Sequence, residues 1–280
     1  MKPLEAEGLV WMDGRMVRAE EATVPIVDPS VQAGLGVFET VAVREGLPLD
    51  LSEHVARIRH GAERLGVPLP SDDTMIDALR SIAAGVAGGY GWAKITAIRT
   101  GRCVVYGGRM DPEEEGRSIS AVLLKWRQNT SDAITSLKTW NYASHILGLE
   151  EARRRGADEG IWLNSRGHLA EGCTSTLFVV HLGRLFTAAV ADGILPGITR
   201  AVVLEAARSQ GLIVHEGKIR LKRLETADEA FLTSSLRAVR PLVRFDGRPV
   251  GRGEPGPITL ALGKKVARLR MQRAHAAVSR

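Results

Sequence analysis

Leu137-Lys138-Thr139-Trp140-Asn141-Tyr142, LKTWNY, sets one lysine between a leucine and a tryptophan, away from the other charges of the chain. A solvated lysine normally sits on a polar face where water reaches its ammonium. Two readings are open for Lys138. Its stem can lie along apolar surface with the head in water. Alternatively it is partly withdrawn from water, where it deprotonates more easily and its neutral amine can attack a carbonyl. The rest of the sequence decides between them.

The chain has 280 residues, 44% hydrophobic and 25% charged. That composition suits a soluble globular protein with enough core for one large domain or two smaller ones. No apolar run approaches the roughly 18 residues of a membrane span, and the opening MKPLEAEGLVWMDGRMV lacks the apolar core of a secretory signal. Cys103 and Cys173, far apart, give neither a disulfide framework nor a metal spacing. A cytoplasmic protein without membrane span or metal is therefore expected. The net charge of +6 invites a nucleic-acid reading, but the arginines are spread along amphipathic stretches and aromatics make up only 5%, so no stacking platform is expected. The densest basic run, Gly263–Arg280, reads as a helix with Lys264, Lys265, Arg268 and Arg273 mostly on its wet face. A solvated helix is the simpler reading of that run, and anionic small molecules are an alternative partner.

Asp13-Gly14 and Glu45-Gly46 mark two hairpins. A helix follows, with Asp50 as its cap, Glu53 three residues on, and Val55, Ile58, Ala62 and Leu65 as its apolar stripe; Gly66 and Pro68 stop it. A second helix covers about 71–87 and a β-branched strand WAKITAIRT follows. After strand ISAVLL, RQNTSD (127–132) reads as a linker. Beyond it come a helix in WNYASHILGLEEARRRG, strands EGIWLN and TSTLFVV, a loop running into a helix in ADGILPGITRAVVLEAARSQG, strands IVHEGKI and EAFLTSS, and a short helix near LETADE between them. Strands and helices mix without βαβ regularity. The expectation is two α+β domains, 1–126 and 133–280, joined by 127–132.

Several residues carry chemistry. Pro196-Gly197 precede a helix starting at Ile198 and Thr199. The first N–H groups of a helix lack intrahelical partners and the macrodipole adds positive charge, so such an end can hold a phosphate. Thr233, Ser234 and Ser235 place hydroxyls at a strand end. Glu171, between Ala170 and Gly172, is a turn residue or the partner of a buried cation. Arg57 falls between Val55 and Ile58, and Arg99 follows an apolar β run. Singly, each reads as a helix start, a turn or a surface charge. Together, an amine, a carboxylate, a glycine-preceded helix N-terminus and a hydroxyl turn meet the needs of pyridoxal phosphate. Its aldehyde requires an amine for a Schiff base. Its ring nitrogen requires a carboxylate, and its phosphate requires N–H groups, hydroxyls and an arginine.

In order and spacing, FETVAV…EHVAR, ITAIRTG, LKTWNY, LAEGCTSTLFVV and LPGITR resemble the fold-type IV pyridoxal-phosphate enzymes, the class IV aminotransferases, from about residue 34 to residue 242. That family includes branched-chain and D-amino-acid aminotransferases and aminodeoxychorismate lyase. The resemblance implies a smaller N-terminal α/β domain, a larger C-terminal domain with a β-barrel-like core, and a homodimer. It also implies the roles. Lys138 matches the Schiff-base lysine and Glu171 the pyridine-nitrogen carboxylate. Arg57 matches the phosphate arginine, Ile198 and Thr199 the phosphate-binding amides, and Ser235, with Ser234 beside it, the phosphate hydroxyl. Tyr142 would contact the ring's phenolic oxygen. Phe38, Glu39 and Thr40 would line the substrate side, and Arg99 stands where some members bind a carboxylate. The implied reaction moves an amino group between an amino acid and a 2-oxo acid. The alternative is the lyase, which turns aminodeoxychorismate into 4-aminobenzoate and pyruvate, and which GLGVFET and TSSL also fit. Thr40 in place of glycine, the Thr-Ser-Ser turn and His145 in place of asparagine depart from the branched-chain pattern.

Overall fold

The computed structural model describes residues 8–278. The first seven residues, part of the stretch read as lacking a signal, and the last two of the basic run lie outside the described residues. The chain divides into two compact units. One comprises residues up to Pro112, together with Leu137–Asn141 and the end of the chain from Arg270; the other comprises Glu113–Ser136 and Tyr142–Leu269.

The first unit is an antiparallel sheet covered by helices. Its elements are β1 (Leu9–Met12), β2 (Arg15–Arg18), α1 (Pro29–Ala33), β3 (Gly36–Arg44), β4 (Leu47–Pro48), α2 (Leu51–Leu65), α3 (Asp72–Ala84), β5 (Gly91–Ile98) and β6 (Cys103–Arg109). The strand order is β2-β1-β6-β5-β3-β4, and both dipeptides read as hairpin turns lie between paired strands. Alternation in the strands gives the sheet two unlike faces. Val37, Val41, Ala93, Ile95, Ala97 and Val105 are buried with Val55, Ile58 and Ala62 of α2 and Met75, Leu79 and Ile82 of α3 in one cluster. The opposite face carries Phe38, Thr40, Lys94, Thr96 and Tyr106, all half-buried, and brought level by the registers Phe38↔Thr96, Thr40↔Lys94 and Lys94↔Tyr106.

The α2 stripe packs as its spacing demands, and Gly66 ends the helix in the left-handed conformation (φ 62°), its N–H reaching Ala62 O and Glu63 O. The start of α2 differs from expectation. Asp50 itself has φ 51° and makes no side-chain cap; its Oδ2 accepts instead from Nε of Arg270, 1% exposed. A full ion pair from a residue 220 positions away replaces the local cap, since a carboxylate buried beside a guanidinium gains more from it than from one backbone N–H.

The second unit contains β7 (Ile119–Leu123), α4 (Ala143–Arg154), β8 (Glu159–Leu163), β9 (Leu169–Gly172), β10 (Thr176–His181), β11 (Arg184–Thr187), α5 (Ile198–Ser209), β12 (Val214–Glu216), α6 (Leu221–Glu225), β13 (Glu229–Ser234), β14 (Ala238–Phe245), β15 (Arg248–Pro249) and the greater part of α7 (Pro257–Val278). Its strands run β12-β11-β10-β13-β14-β7-β8-β9, with β15 on β14. The path curls: Leu169, in the last strand, bridges Ile219, three residues past β12 at the other end. One side buries α5 and α7 residues against Phe178, Phe231 and Val239.

The domain boundary is corrected accordingly. β7, expected in the N-terminal domain, pairs in parallel with β8 and β14 of the second unit. Residues 127–132 lie wholly inside that unit, and 137–141 return to the first. Long-range strand pairing, invisible in composition, sets the division.

Candidate active site

In the first unit, Leu137–Asn141 lies along β3. Phe38 N–H donates to Lys138 O (3.1 Å), Trp140 N–H donates to Gly36 O (2.9 Å), and Val37 bridges Thr139. Trp140 lies so flat on Gly36 that a Cβ there would stand 2.7 Å from its ring; the indole N–H donates to Thr96 Oγ1 at 2.7 Å. These contacts fix the backbone of Lys138 and direct its side chain over the half-buried face. The amine Nζ stands 4.4 Å from the centroid of the Phe38 ring. Lys138 is half-buried, with its amine over the Phe38 ring.

The structure adds a residue that sequence reading missed. Lys94 Nζ lies 4.7 Å from the same Phe38 ring and 5.9 Å from that of Tyr106, and burial pushes its ammonium below the ordinary lysine value. In the strand WAKITAIRT, the alternation that buries Ala93 and Ile95 left Lys94 as an unremarked polar position; the register sets it opposite Thr40.

Arg57 is clamped. Its Nε donates to Glu39 Oε1 at 2.6 Å and its Nη2 to Oε2 at 2.8 Å. Glu39 also accepts from His54 Nδ1 at 2.7 Å. Glu39 points to the helix side of β3, opposite to Phe38 and Thr40, so it does not share their surface. Burial alone would raise the Glu39 carboxyl, but Arg57 and His54 hold it well below the usual carboxylate range. Burial pushes the His54 imidazole below its ordinary value, against the upward pull of Glu39. A neutral His54 then donates Nδ1–H to Glu39. Arg99 is exposed past the end of β5, with its guanidinium against Gly66, nine residues and about 13 Å along α2 from Arg57.

The lowered His54 value fixes the sign of a pH effect. An unfolded histidine takes its proton near pH 6.5, whereas folded His54, packed among Glu39, Arg57 and Asp50, takes it only at lower pH. Stability is therefore full above about pH 6.5 and falls as pH drops below it. The melting temperature is expected to fall between about pH 7 and pH 5, and His54→Gln to flatten that slope. A slope unchanged by the substitution would assign it to other groups.

In the second unit, Glu171 lies within β9, not merely before a strand, and is 6% exposed. Its Oε1 accepts from Gln128 Nε2 at 3.1 Å, and Leu195 N–H approaches both oxygens at 3.2 Å. Gln128 sits in the stretch read as a linker, so nothing marked it out in sequence. Leu195 belongs to the loop that leads into α5. Gly197 is the cap residue of α5 and offers no side-chain cap; a Cβ on it would meet Thr176 Oγ1 at 2.8 Å. Thr176 is in register with Thr233. The N-terminus of α5 and the Thr233-Ser234-Ser235 turn are thus drawn to one place. Thr199 and Thr233, 2% and 3% exposed, bury hydroxyl oxygens without a hydrogen-bond partner. Orphaned hydroxyls beside an uncapped helix start fit a phosphate group.

Tyr142, the residue before α4, stacks on His145 with centroids 4.1 Å apart and planes 9° apart; His145 in turn stacks on Trp162 at 5.0 Å. His145 Nδ1 lies 2.6 Å from Cys173 O, an acceptor, so the nitrogen carries the proton. This tie holds the start of α4 to the segment that leaves β9 just after Glu171. Of the residues singled out from sequence, the first unit contains Phe38, Thr40 and Lys138 on one face of its sheet, Arg57 on the helix side and Arg99 past the end of β5, and the second contains Tyr142, Glu171, Ile198, Thr199, Ser234 and Ser235. No group of three or more His, Cys, Asp or Glu among the described residues could hold a metal ion, and no described helix is long and apolar enough to cross a membrane.

Comparison with known proteins agrees with these features. The profile of the family described as Amino-transferase class IV matches residues 36–245. A putative branched-chain-amino-acid aminotransferase of Methanocaldococcus jannaschii is 29% identical over 276 residues, covering 93% of this chain and 96% of the relative. The D-alanine aminotransferase of Bacillus licheniformis is 29% identical over 264 residues, covering 89% and 93%. Among solved structures, the branched-chain aminotransferase of Thermoproteus uzoniensis with norvaline superposes with a TM-score of 0.88 at 28% identity, covering 95% of each chain. The T.th. branched-chain amino acid aminotransferase with pyridoxamine 5'-phosphate gives 0.87 at 26%, covering 96% of each. These relatives are aminotransferases, and the lyase alternative finds no support in them. The mixed α+β chain with its curled sheet has the fold-type IV architecture, and it belongs to the class IV aminotransferases.

Proposed function

We propose that this chain is a pyridoxal-phosphate-dependent aminotransferase that moves an amino group between an amino acid and a 2-oxo acid. The observation that carries the reading is the second unit's pairing of a buried, hydrogen-bonded Glu171 with the uncapped start of α5, through the single loop that contains Leu195. One element supplies an anion site and the next a fixed negative charge, as a phosphorylated cationic heterocycle requires.

In this reading Ile198 and Thr199 N–H groups, the hydroxyls of Thr199, Ser234 and Ser235, and the Arg57 guanidinium hold the phosphate. Glu171 keeps a proton on the ring nitrogen, and Tyr142 meets the ring's phenolic oxygen. When bound, pyridoxal phosphate supplies an aldehyde that takes the amino group and a ring that accepts the electron pair left on Cα. Lys138 Nζ would anchor the cofactor, then take the Cα proton as general base and deliver it as general acid to the former aldehyde carbon, after which water releases the 2-oxo acid. Phe38 backs the amine and keeps water from one side of it. Thr40, with Phe38, forms the wall offered to the substrate, and Arg99 supplies a guanidinium for a carboxylate.

A homodimer and a cytoplasmic location belong to the same proposal. The resemblance supports the first; two free, buried cysteines accord with the reducing compartment of the second.

A panel of D- and L-amino acids mixed with the cofactor-loaded protein tests the reading. Bleaching of the visible cofactor absorbance with release of a 2-oxo acid is expected from at least one donor, and its handedness identifies the substrate series. Release of 4-aminobenzoate from aminodeoxychorismate, with no donor active, would replace transfer by elimination.

A further inference from the structure

Glu39 is the least expected charge in the first unit. It is 0% exposed, flanked in β3 by Val37 and Val41, also 0%, within the apolar cluster under α2 and α3. Stability does not explain it. Taking a carboxylate and a guanidinium out of water costs about as much as their attraction returns, and an apolar pair of similar volume is often as stable or more so. What such a pair does provide is geometry. Two parallel N–H···O bonds, at 2.6 and 2.8 Å, fix the plane of the Arg57 guanidinium, which a flexible stem alone leaves to wander.

The clamp is itself held. His54 Nδ1 occupies Oε2 of Glu39 at 2.7 Å, so the carboxylate faces three donors and cannot turn. Asp50, His54 and Arg57 follow at spacings of four and three residues, which puts them on one face of α2. Asp50 in turn grips the buried Arg270. Of this row Arg57, its side chain 11% exposed, is the member that reaches the surface of the unit.

We propose that Glu39, steadied by His54, is a positioning residue that presets the Arg57 guanidinium to receive the cofactor's phosphate. This rests on the reading of Arg57 as the phosphate arginine. Glu39 touches neither phosphate nor substrate; it acts through Arg57, by removing in advance the side-chain freedom that binding would otherwise cost. Glutamine at this position keeps the shape but turns one acceptor into a donor facing the guanidinium. Removing the partner behind a binding group commonly weakens binding about 10- to 100-fold, as for the residues that orient metal ligands.

The test compares pyridoxal phosphate with pyridoxal, which lacks the phosphate, by titrating cofactor-free full-length protein and following absorbance. For Glu39→Gln, the dissociation constant for pyridoxal phosphate is expected to rise about 10- to 100-fold, with that for pyridoxal within about threefold of the unsubstituted protein. Equal weakening of both would make Glu39 a merely structural residue and overturn the proposal, as would no change in either. Should Glu39→Gln fail to fold, Glu39→Asp keeps the charge one methylene short of the bidentate reach, and the same selective loss is expected. Arg57→Gln separates the two levels of argument. If it leaves the preference for the phosphorylated form intact, the phosphate reading of Arg57 fails. If it abolishes that preference while the Glu39 variants do not, the clamp alone is refuted.

Discussion

Lys138→Ala is expected to lower amino transfer by about 10⁴-fold or more, since on the proposed function it removes the covalent anchor and the proton carrier in one change. The loss should be chemical, not structural. The segment that bears Lys138 is held to β3 by main-chain bonds between Phe38 N–H and Lys138 O and between Trp140 N–H and Gly36 O, and by Trp140 lying on Gly36. None of these uses the lysine side chain, so the melting temperature should stay within a few degrees. Two measurements check the claim. Single-turnover release of a 2-oxo acid should vanish in the variant, and borohydride treatment of the loaded unsubstituted protein, followed by peptide mapping, should fix the cofactor to Lys138. A variant keeping a hundredth of the rate, or a label on Lys94, whose amine faces the same ring, would remove Lys138 from the chemistry.

That Lys94 can stand as a rival shows where sequence reading ran out. Local signals were legible because their causes are local: Asp13-Gly14 and Glu45-Gly46 turn hairpins, the stripe from Val55 to Leu65 packs one face of α2, and Pro196-Gly197 start α5. Signals that depend on partners distant in sequence were not. The resemblance implies one shared side for Phe38, Glu39 and Thr40; strand alternation separates Glu39 from the other two, and Arg57 and His54 satisfy its carboxylate on the helix side. Asp50 had every mark of a cap, and only Arg270 changes its role. Gln128 lay in a polar run that read as a tether, and its use appears only when β9 places Glu171 beside it. Function-bearing motifs could be matched in order along the chain, whereas the residues that orient them could not.

Glu171→Gln is expected to slow removal of the Cα proton on the order of 10³-fold while leaving phosphate binding in place, a cost comparable to losing one preorganised electrostatic contact in a water-poor site. The side chain is 6% exposed and its oxygens are fixed by Gln128 and the Leu195 N–H, so the charge stands at a set position with no reorganisation needed as electrons arrive. The amide retains shape and one acceptor for Leu195 but carries no charge, and it cannot keep a proton on the ring nitrogen. The groups read as holding phosphate, at the start of α5 and the turn after β13, make none of these bonds to Glu171, so the two functions should separate. Exchange of the Cα hydrogen with deuterated water reports proton removal alone, and titration with pyridoxal phosphate reports binding alone. Exchange at the unsubstituted rate would mean that the ring needs no carboxylate here. Loss of both together would mean that Glu171 builds the loop around Leu195 and does not act on the reaction.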